Sequence, residues 1–189
     1  KGFRTVLEVA CGTGLNIPYF REAGLEYCGL DISETAVALA ALKFPKQRYF
    51  NLGILDCASF KDGAFEVVYN SSMLEHIGYH EEAIREMIRL AKMAVYIVFF
   101  EGLSDEEDNK IAFHPYEPKE IGGAVRSIYG RKIVLQEHIH EQRKGWYWNR
   151  YCKTRITALF ENSPYAIEIL DRSNRAFIAE ESVLVIRKP

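Results

Sequence analysis

Two glycines that lie one residue apart follow a short apolar run near the start of the chain. The run is Val6–Val9, with Glu8 as its one acid, and the glycines are Gly12 and Gly14. Such a run is typical of a buried parallel strand, and closely spaced glycines allow a tight turn with uncovered backbone N–H groups. Residues 15–20 can begin a helix. A strand, a glycine turn and a helix N-terminus together predict a site for the polar end of a small molecule.

Two acids further along the chain have the spacing to bind other parts of such a molecule. Asp31 ends a predicted second strand about 20 residues after the glycines, where dinucleotide-type sites place an acid on the ribose. Asp56 lies in the loop after a predicted third strand. A nicotinamide site fits less well, because Ile17 stands where a third glycine is expected and Asp56 has no role in it. No Gly-Lys-Ser/Thr follows the turn, which excludes a Walker phosphate loop.

Strands and helices alternate through the first half of the chain. The apolar runs predict strands at 6–9, 27–31, 48–52, 65–70 and 94–100, and helices at 15–20, 33–42 and 80–92. Ser33 is the predicted N-cap of the second helix. This alternation predicts a parallel α/β sheet with right-handed crossovers over residues 4–101.

The pattern is less regular in the second half. It predicts a helix over Pro118–Tyr129, a sixth strand at Ile133–Leu135, a helix around 153–162, a short strand near 166–171 and a last strand over Ser182–Arg187. At 189 residues, we expect one domain.

Composition sets wide limits on function. Hydrophobic residues make up 48% and charged residues 26% of a chain with net charge -2, which neither favours nor excludes a nucleic-acid partner. Four cysteines without CxxC spacing favour a reduced, cytoplasmic protein over a disulfide scaffold. No apolar run has the length of a membrane span. The chain begins at Lys1, without Met, so a missing N-terminal segment is left open.

These motifs, in this order and spacing, resemble the class I S-adenosylmethionine-dependent methyltransferases of small-molecule type. The first motif of that family appears as Glu8, Ala10, Gly12 and Gly14, with Ala10 in place of the usual first glycine. The segment 65–77 looks like the signature that follows the fourth strand in small-molecule members. The resemblance implies a Rossmann-like three-layer α/β/α sandwich, with a mostly parallel seven-stranded sheet and an antiparallel last strand. It also implies one methyltransferase domain over 1–189, with a cofactor-binding half (1–101) and an acceptor-side half with an insertion (102–189).

The resemblance further implies S-adenosyl-L-methionine as cofactor, S-adenosyl-L-homocysteine as product, and a set of binding residues. That set lies in the glycine loop and at the ends of the second, third and fourth strands: Glu8, Ala10, Cys11, Gly12, Gly14, Asn16, Asp31, Ile32, Asp56, Cys57, Asn70 and Ser71. In the family, the acid after the second strand binds ribose hydroxyls and the acid after the third binds the adenine amino group. The acid of the first strand is more often a buried residue that bonds the glycine-loop backbone, which is the role we expect for Glu8.

Three histidines could do chemistry. His76 follows the fourth strand, near the expected position of the methyl group, and is the candidate general base; a local structural hydrogen bond is the alternative. His138 and His140 lie two apart on a predicted strand and would face the same side. No third ligand is evident from spacing, so we predict no metal site.

The stretch 131–155 has the most unusual composition. It contains seven basic and two acidic residues, interleaved with Trp146, Tyr147, Trp148 and Tyr151. It could be a lid that binds an acidic acceptor, a surface for single-stranded nucleic acid, or an insertion whose aromatic side chains pack on the sheet. For the lid, the candidate substrate residues are Tyr116, Trp146 and Tyr147.

The leading hypothesis is methyl transfer to an oxygen or nitrogen of a small-molecule acceptor. Residues 70–73 read Asn-Ser-Ser-Met and lack the Asn/Asp-Pro-Pro-Tyr/Phe motif of base-N-methylating relatives. One alternative is an RNA or protein methyltransferase that uses 131–155. The other is a non-catalytic module that binds S-adenosylmethionine. The acceptor, its attacking atom and the oligomeric state are left open.

Overall fold

Seven strands form one mixed sheet with helices on both faces. The computed structural model describes residues 2–101, 151, 153–172 and 181–189, together with four short strands between residues 113 and 147, and all statements below concern this part of the chain. In chain order the strands are β1 (Thr5–Val9), β2 (Glu26–Asp31), β3 (Arg48–Asn51), β4 (Phe65–Ser71), β5 (Ala91–Phe100), β6 (Phe113–Pro115), β7 (Val125–Ile128), β8 (Arg131–Val134), β9 (Gly145–Tyr147), β10 (Ala166–Arg172) and β11 (Glu181–Arg187). The helices are α1 (Ile17–Glu22), α2 (Glu34–Lys43), α3 (His80–Leu90) and α4 (Lys153–Ala158).

The order of the sheet is β10-β11-β5-β4-β1-β2-β3. Strands β1 to β5 are parallel, and β11 runs antiparallel to both β5 and β10. The order reverses at β1, which lies between β2 and β4, and such a switch point is where open α/β sheets bind ligands. The predicted Rossmann-like architecture with seven strands and an antiparallel last strand is confirmed.

The two faces of the sheet contact different helices because side chains alternate along each strand. On β1, Val6 packs with Ile17 of α1, whereas Leu7 belongs to the larger cluster that includes α3 and α4. Ser33 caps α2 as predicted, since its Oγ accepts the N–H of Ala36 at 3.2 Å. None of the helices in the described part of the chain is long and apolar enough to span a membrane.

One prediction for the second half is wrong, and another is confirmed as a strand but in a different sheet. The expected helix over Pro118–Tyr129 is contradicted at Val125–Ile128, which forms β7; the rest of that span lies outside the described residues. The expected sixth strand at Ile133–Leu135 coincides with β8, but β8 pairs with β7 and not with the main sheet. Two residues that include Gly130 connect β7 to β8, and so short a connection favours a local hairpin over a long crossover.

The main sheet is completed by β10 and β11 instead. The short strand expected near 166–171 is β10, and it lies at the sheet edge, paired with β11 along its full length. The helix expected around 153–162 is confirmed over Lys153–Ala158 as α4.

Candidate functional site

The glycine loop after β1 has the left-handed backbone that its composition predicts. Gly12 and Gly14 have φ values of 51° and 78°. A Cβ at Gly14 would lie 2.6 Å from Cδ1 of Ile17, so a glycine is needed for α1 to pack against the loop. A Cβ at Gly12 would meet no atom of the described residues within 4 Å. Backbone approach to Gly12 is therefore open on that side.

Ala10 is strained in this loop. Its φ is 56°, a conformation that costs a residue with a Cβ about 1–2 kcal/mol. We expect Ala10→Gly to stabilise the protein by about 0.5–1 kcal/mol, because relief of that strain exceeds the extra unfolded-state entropy of glycine. Urea unfolding measures this change. Ala23→Gly is the control, since Ala23 has a φ of −72° and the change there should destabilise. Equal destabilisation by both variants would contradict the left-handed assignment of Ala10.

Asp31 joins the end of β2 to the glycine loop. Its Oδ2 accepts the N–H of Gly12 at 2.8 Å, and its Oδ1 accepts the N–H of Ser33 at 2.8 Å. The N–H of Cys11 donates to the carbonyl of Leu30 at 3.0 Å, which holds the same two elements together. The predicted ribose residue and the predicted methionine loop are therefore in direct contact, with the Asp31 carboxylate half-buried at their junction.

Glu8 is buried as predicted, but its partners differ from the expected ones. Its Oε2 accepts the Tyr27 hydroxyl at 2.5 Å and its Oε1 accepts the Asn16 amide at 2.7 Å, so side chains take the place of the glycine-loop N–H groups. Burial raises the pKa of Glu8, and these two hydrogen bonds oppose that shift. Glu8 therefore connects β1 to β2 and to the start of α1 below the loop. Asn16, a predicted cofactor-binding residue, donates its side-chain amide to Glu8.

The cysteines of the site are buried free thiols. Cys11 and Cys57 are both predicted binding residues, and each is at most 5% exposed. Burial raises the pKa of the Cys11 thiol to about 12 and of the Cys57 thiol to about 11. Neither thiol is a nucleophile at neutral pH, so only the backbone of these residues is available to a ligand.

A one-turn helix after β3 holds the second predicted acid. It spans Ile54–Asp56, and Oδ2 of Asp56 accepts the N–H of Gly53 at 3.2 Å. A Cβ at Gly53 would lie 2.6 Å from that oxygen and 3.8 Å from Cδ1 of Ile32. Ile32 is 55% exposed, and Leu55 of the helix is 49% exposed. An exposed carboxylate and two exposed apolar side chains thus occur together beside the end of β2.

The end of β4 contributes a buried amide. Nδ2 of Asn70 donates to the Val9 carbonyl at 2.9 Å and links β4 to β1. Asn70 is 0% exposed, and its Oδ1 has no hydrogen-bond partner among the described residues. Buried acceptors without a donor are rare and often mark functional sites. Ser71 follows, with its Oγ 3.5 Å from that of Ser72.

The one-turn helix Leu74–His76 follows β4 at this edge of the sheet. His76 is exposed there, beside the buried Glu75, which is 1% exposed. Burial raises the pKa of Glu75 to about 7, and Oε2 of Glu75 has no partner among the described residues. Tyr151 contacts this turn by donating its hydroxyl to the Leu74 carbonyl at 2.6 Å.

The predicted acceptor residues are only partly described. Strand β9 contains Trp146 and Tyr147, pairs with β6, and lies against the Leu74–His76 turn. Tyr116 lies outside the described residues, as do His138 and His140. Among the residues that are described, no three His, Cys, Asp or Glu side chains are grouped as a metal site requires.

Tyr151 is a core residue. It is 1% exposed and packs edge-on against Phe99 of β5, so it is not available to a ligand as part of an exposed aromatic surface. An isolated parallel bridge pairs the backbone of Tyr151 with Glu101. The packing alternative for this stretch is correct at that position.

Three residues of the site were not predicted from the sequence. Tyr27 holds Glu8, Asn51 donates its amide to the carbonyls of Asp31 and Ile32, and Arg89 bonds the loop after β3. Asn51 had a detectable signal, because a polar residue at the end of a parallel strand lies on the ligand edge. Arg89 had no detectable signal in the sequence, since basic residues are common in the last turn of helices.

The sheet order and the glycine loop define a Rossmann-like nucleotide-type site, and comparison with known proteins gives the family. Residues 7–99 match the family model described as "Methyltransferase domain". Over these residues, just under half of the chain, the predicted resemblance to the class I S-adenosylmethionine-dependent methyltransferases is confirmed.

Individual relatives cover the same region. A ubiquinone biosynthesis O-methyltransferase of Bordetella avium is 27% identical over 100 residues, which are 51% of this chain and 42% of that protein. A demethylmenaquinone methyltransferase of Renibacterium salmoninarum is 34% identical over 91 residues, 46% of this chain and 36% of that protein. The chain thus spans less than half the length of these relatives. A solved methyltransferase structure from Methanosarcina mazei has the same fold, with a TM-score of 0.67 and 14% identity over 100% of this chain and 93% of that one.

Proposed function

We propose that this protein binds S-adenosyl-L-methionine at the C-terminal edge of β1 to β4 and transfers its methyl group to an oxygen or nitrogen of a small molecule. S-adenosyl-L-homocysteine is the second product. The main supporting observation is the contact between Asp31 and the Gly12 N–H, which joins the ribose and methionine subsites in one edge. The matched methyltransferase domain supports the same activity.

The ribose and adenine ends of the cofactor fit the residues after β2 and β3. Asp31 is the proposed acceptor for the two ribose hydroxyls, because a carboxylate accepts several hydrogen bonds at once. Asp56 is the proposed acceptor for the adenine amino group, and the Cys57 backbone contacts the ring. Ile32 covers one face of the adenine, which explains why an apolar side chain is 55% exposed at this point.

The methionine end fits the glycine loop and the end of β4. The open side of Gly12 admits the methionine backbone, along Ala10, Cys11 and Gly14. Oδ1 of Asn70 is a buried acceptor without a donor in the described part of the chain, which suits an ammonium group. Ser71 is the proposed neighbour of that contact. Asn16 and Glu8 support the loop from below, so their role is to position it.

The cofactor supplies an activated methyl group on a positive sulfonium. The protein then has to hold the attacking atom in line and remove its proton. In-line positioning alone can supply much of the rate enhancement. His76 is the proposed base, because it is exposed at the end of β4 on the acceptor side.

A small-molecule acceptor is supported by the relatives and by the turn after β4. One curated relative is named a ubiquinone biosynthesis O-methyltransferase, and the other is named a demethylmenaquinone methyltransferase. Strand β9 lies against the His76 turn, so Trp146 and Tyr147, with Tyr116, are the proposed acceptor-binding residues. The nucleic-acid alternative loses one stacking residue because Tyr151 is in the core. The three cysteines in the described part of the chain are buried free thiols, which is consistent with a cytoplasmic protein.

Release of S-adenosylhomocysteine tests the proposal. We expect product from wild type with phenols, amines or hydroxylated heterocycles as acceptors, and a loss of about 100-fold in kcat in His76→Gln if His76 is the base. Gln47→Ala on the surface between α2 and β3 is the control. Tight S-adenosylhomocysteine binding without turnover of any acceptor would favour the non-catalytic module. Turnover of an oligonucleotide alone, with binding that falls steeply with salt, would favour the RNA enzyme.

A further inference from the structure

Arg89 of α3 connects that helix to the loop after β3. Its Nη1 donates to the Phe60 carbonyl at 2.8 Å, and its Nη2 donates to the Cys57 carbonyl at 3.0 Å. Nη1 also bonds Oδ1 of Asp62 at 2.8 Å. One guanidinium therefore contacts the loop at three points.

Glu86 fixes the guanidinium from the helix side. Its two oxygens accept Nε and Nη2 of Arg89 at 2.8 and 2.6 Å, one turn before Arg89 on α3. Such a fork holds the guanidinium plane in one orientation. Arg89 and Glu86 are 28% and 19% exposed at their side chains, so solvent only partly screens the pair. The pairing is more than an exposed surface contact.

The loop that Arg89 holds contains the proposed adenine contacts. Asp56 precedes Cys57 directly, and their side chains diverge: Asp56 is exposed, whereas Cys57 is fully buried. Phe60 packs edge-on against Phe50 at the end of β3, with ring centroids 4.8 Å apart. The loop is thus anchored by apolar packing underneath and by Arg89 through its carbonyls. The Arg89 bonds set the direction of the backbone that presents Asp56.

We propose that Arg89 is a positioning residue for recognition of the adenine amino group, acting through Asp56 and Cys57. This inference rests on the proposed function, since it assumes that Asp56 accepts that amino group. A loop that is ordered before binding loses less entropy when the ligand arrives. Loss of Arg89 should therefore weaken the contact to the amino group and leave the contacts to ribose and methionine intact.

Two ligands that differ at the adenine amino group and the adjoining ring nitrogen N1 separate this role from a general structural one. S-adenosylhomocysteine has the amino donor and an N1 acceptor, whereas S-inosylhomocysteine has a carbonyl oxygen and an N1–H donor in their places. In wild type we expect calorimetry to give about 10-fold tighter binding of the adenosyl ligand. In Arg89→Met the adenosyl affinity should fall about 10-fold and the inosyl affinity less than about 2-fold.

Matched variants make the outcome decisive. Arg85→Met is the control, because Arg85 lies one turn earlier on α3 and bonds Glu81 at its exposed surface. Arg89→Lys retains a cation beside Glu86 but cannot bond both loop carbonyls, so it should lose about 3-fold in adenosyl affinity alone. It serves as the deciding variant if Arg89→Met does not fold.

The possible failures can be told apart. Unchanged preference for the adenosyl ligand in folded Arg89 variants, or an equal loss for both ligands, would overturn the positioning role. No binding of either ligand by wild type would overturn the proposed function itself. Binding by wild type without any preference would remove the adenine role of Asp56, and with it the role of Arg89.

Discussion

We expect Asp31→Ala to weaken binding of S-adenosylhomocysteine by about 100-fold. The carboxylate is the proposed acceptor for two ribose hydroxyls, and hydrogen bonds to a charged group contribute about 1.5–3 kcal/mol each. Part of that contribution is offset because Asp31 also accepts the N–H groups of Gly12 and Ser33 in the free protein. A net loss of about 3 kcal/mol corresponds to the expected factor. Isothermal calorimetry on the purified protein measures it directly.

Two further variants locate the source of that loss. Asp31→Asn retains one acceptor oxygen and loses the charge, so an intermediate loss of about 10-fold is expected. Glu34→Ala removes the same charge from the exposed first turn of α2, without a bond to the loop, and should change affinity less than about 2-fold. Binding by Asp31→Ala at the wild-type level would remove Asp31 from the ribose subsite.

The first half of the fold was predictable because each of its signals is local. Strands β1 to β5 are short apolar runs, and parallel pairing aligns the polar residues at their ends on one edge. Asp31 and the glycine loop could therefore be placed on the same edge from spacing, and in the structure Oδ2 of Asp31 accepts the Gly12 N–H there. The left-handed conformation of the loop followed from its glycines, although Ala10 had to adopt it as well.

Partners that come from distant parts of the chain were not predictable in this way. Glu8 was expected to accept hydrogen bonds from the loop beside it. Its two oxygens instead accept the hydroxyl of Tyr27 from the next strand and the amide of Asn16 at the start of α1. Arg89 meets its carbonyls at a separation of about 30 residues, with no motif to indicate the pairing. The pattern of one sequence indicates which secondary structure a segment forms, but it does not indicate which distant residues its side chains contact.

Predictions for the second half of the chain were less accurate for a different reason. Val125–Ile128 has apolar ends three residues apart, a spacing that suits a helix turn as well as a short strand. Pairing with Arg131–Val134 through a tight connection resolved that ambiguity toward a hairpin. For Tyr151 the sequence left both a basic aromatic surface and packing on the sheet open, because basic residues surround it in the chain. Its burial depends on β5 and the Leu74 carbonyl, which no local window contains.

Glu75 has a pKa of about 7, against an ordinary value of 4.5, because burial disfavours the charged form and Glu181 adds repulsion. Below pH 4.5 both the folded and the unfolded chain hold the proton, and Glu75 has no effect on the pH dependence of stability. As the pH rises from 4.5 to 7, the unfolded chain loses the proton and the folded chain retains it. The free energy of unfolding therefore falls with rising pH in this window, by about 3 kcal/mol in total.

We expect Glu75→Gln to remove this loss, since glutamine has nearly the same shape and no charge. The variant should match wild type within about 1 kcal/mol near pH 4.5 and exceed it by about 2–3 kcal/mol at pH 8, as measured by urea unfolding across that range. Glu82→Gln, at an exposed position of α3, should stay within about 0.5 kcal/mol of wild type at every pH. A Glu75→Gln difference that is the same at both pH values would mean that the pKa of Glu75 is not raised in the folded protein.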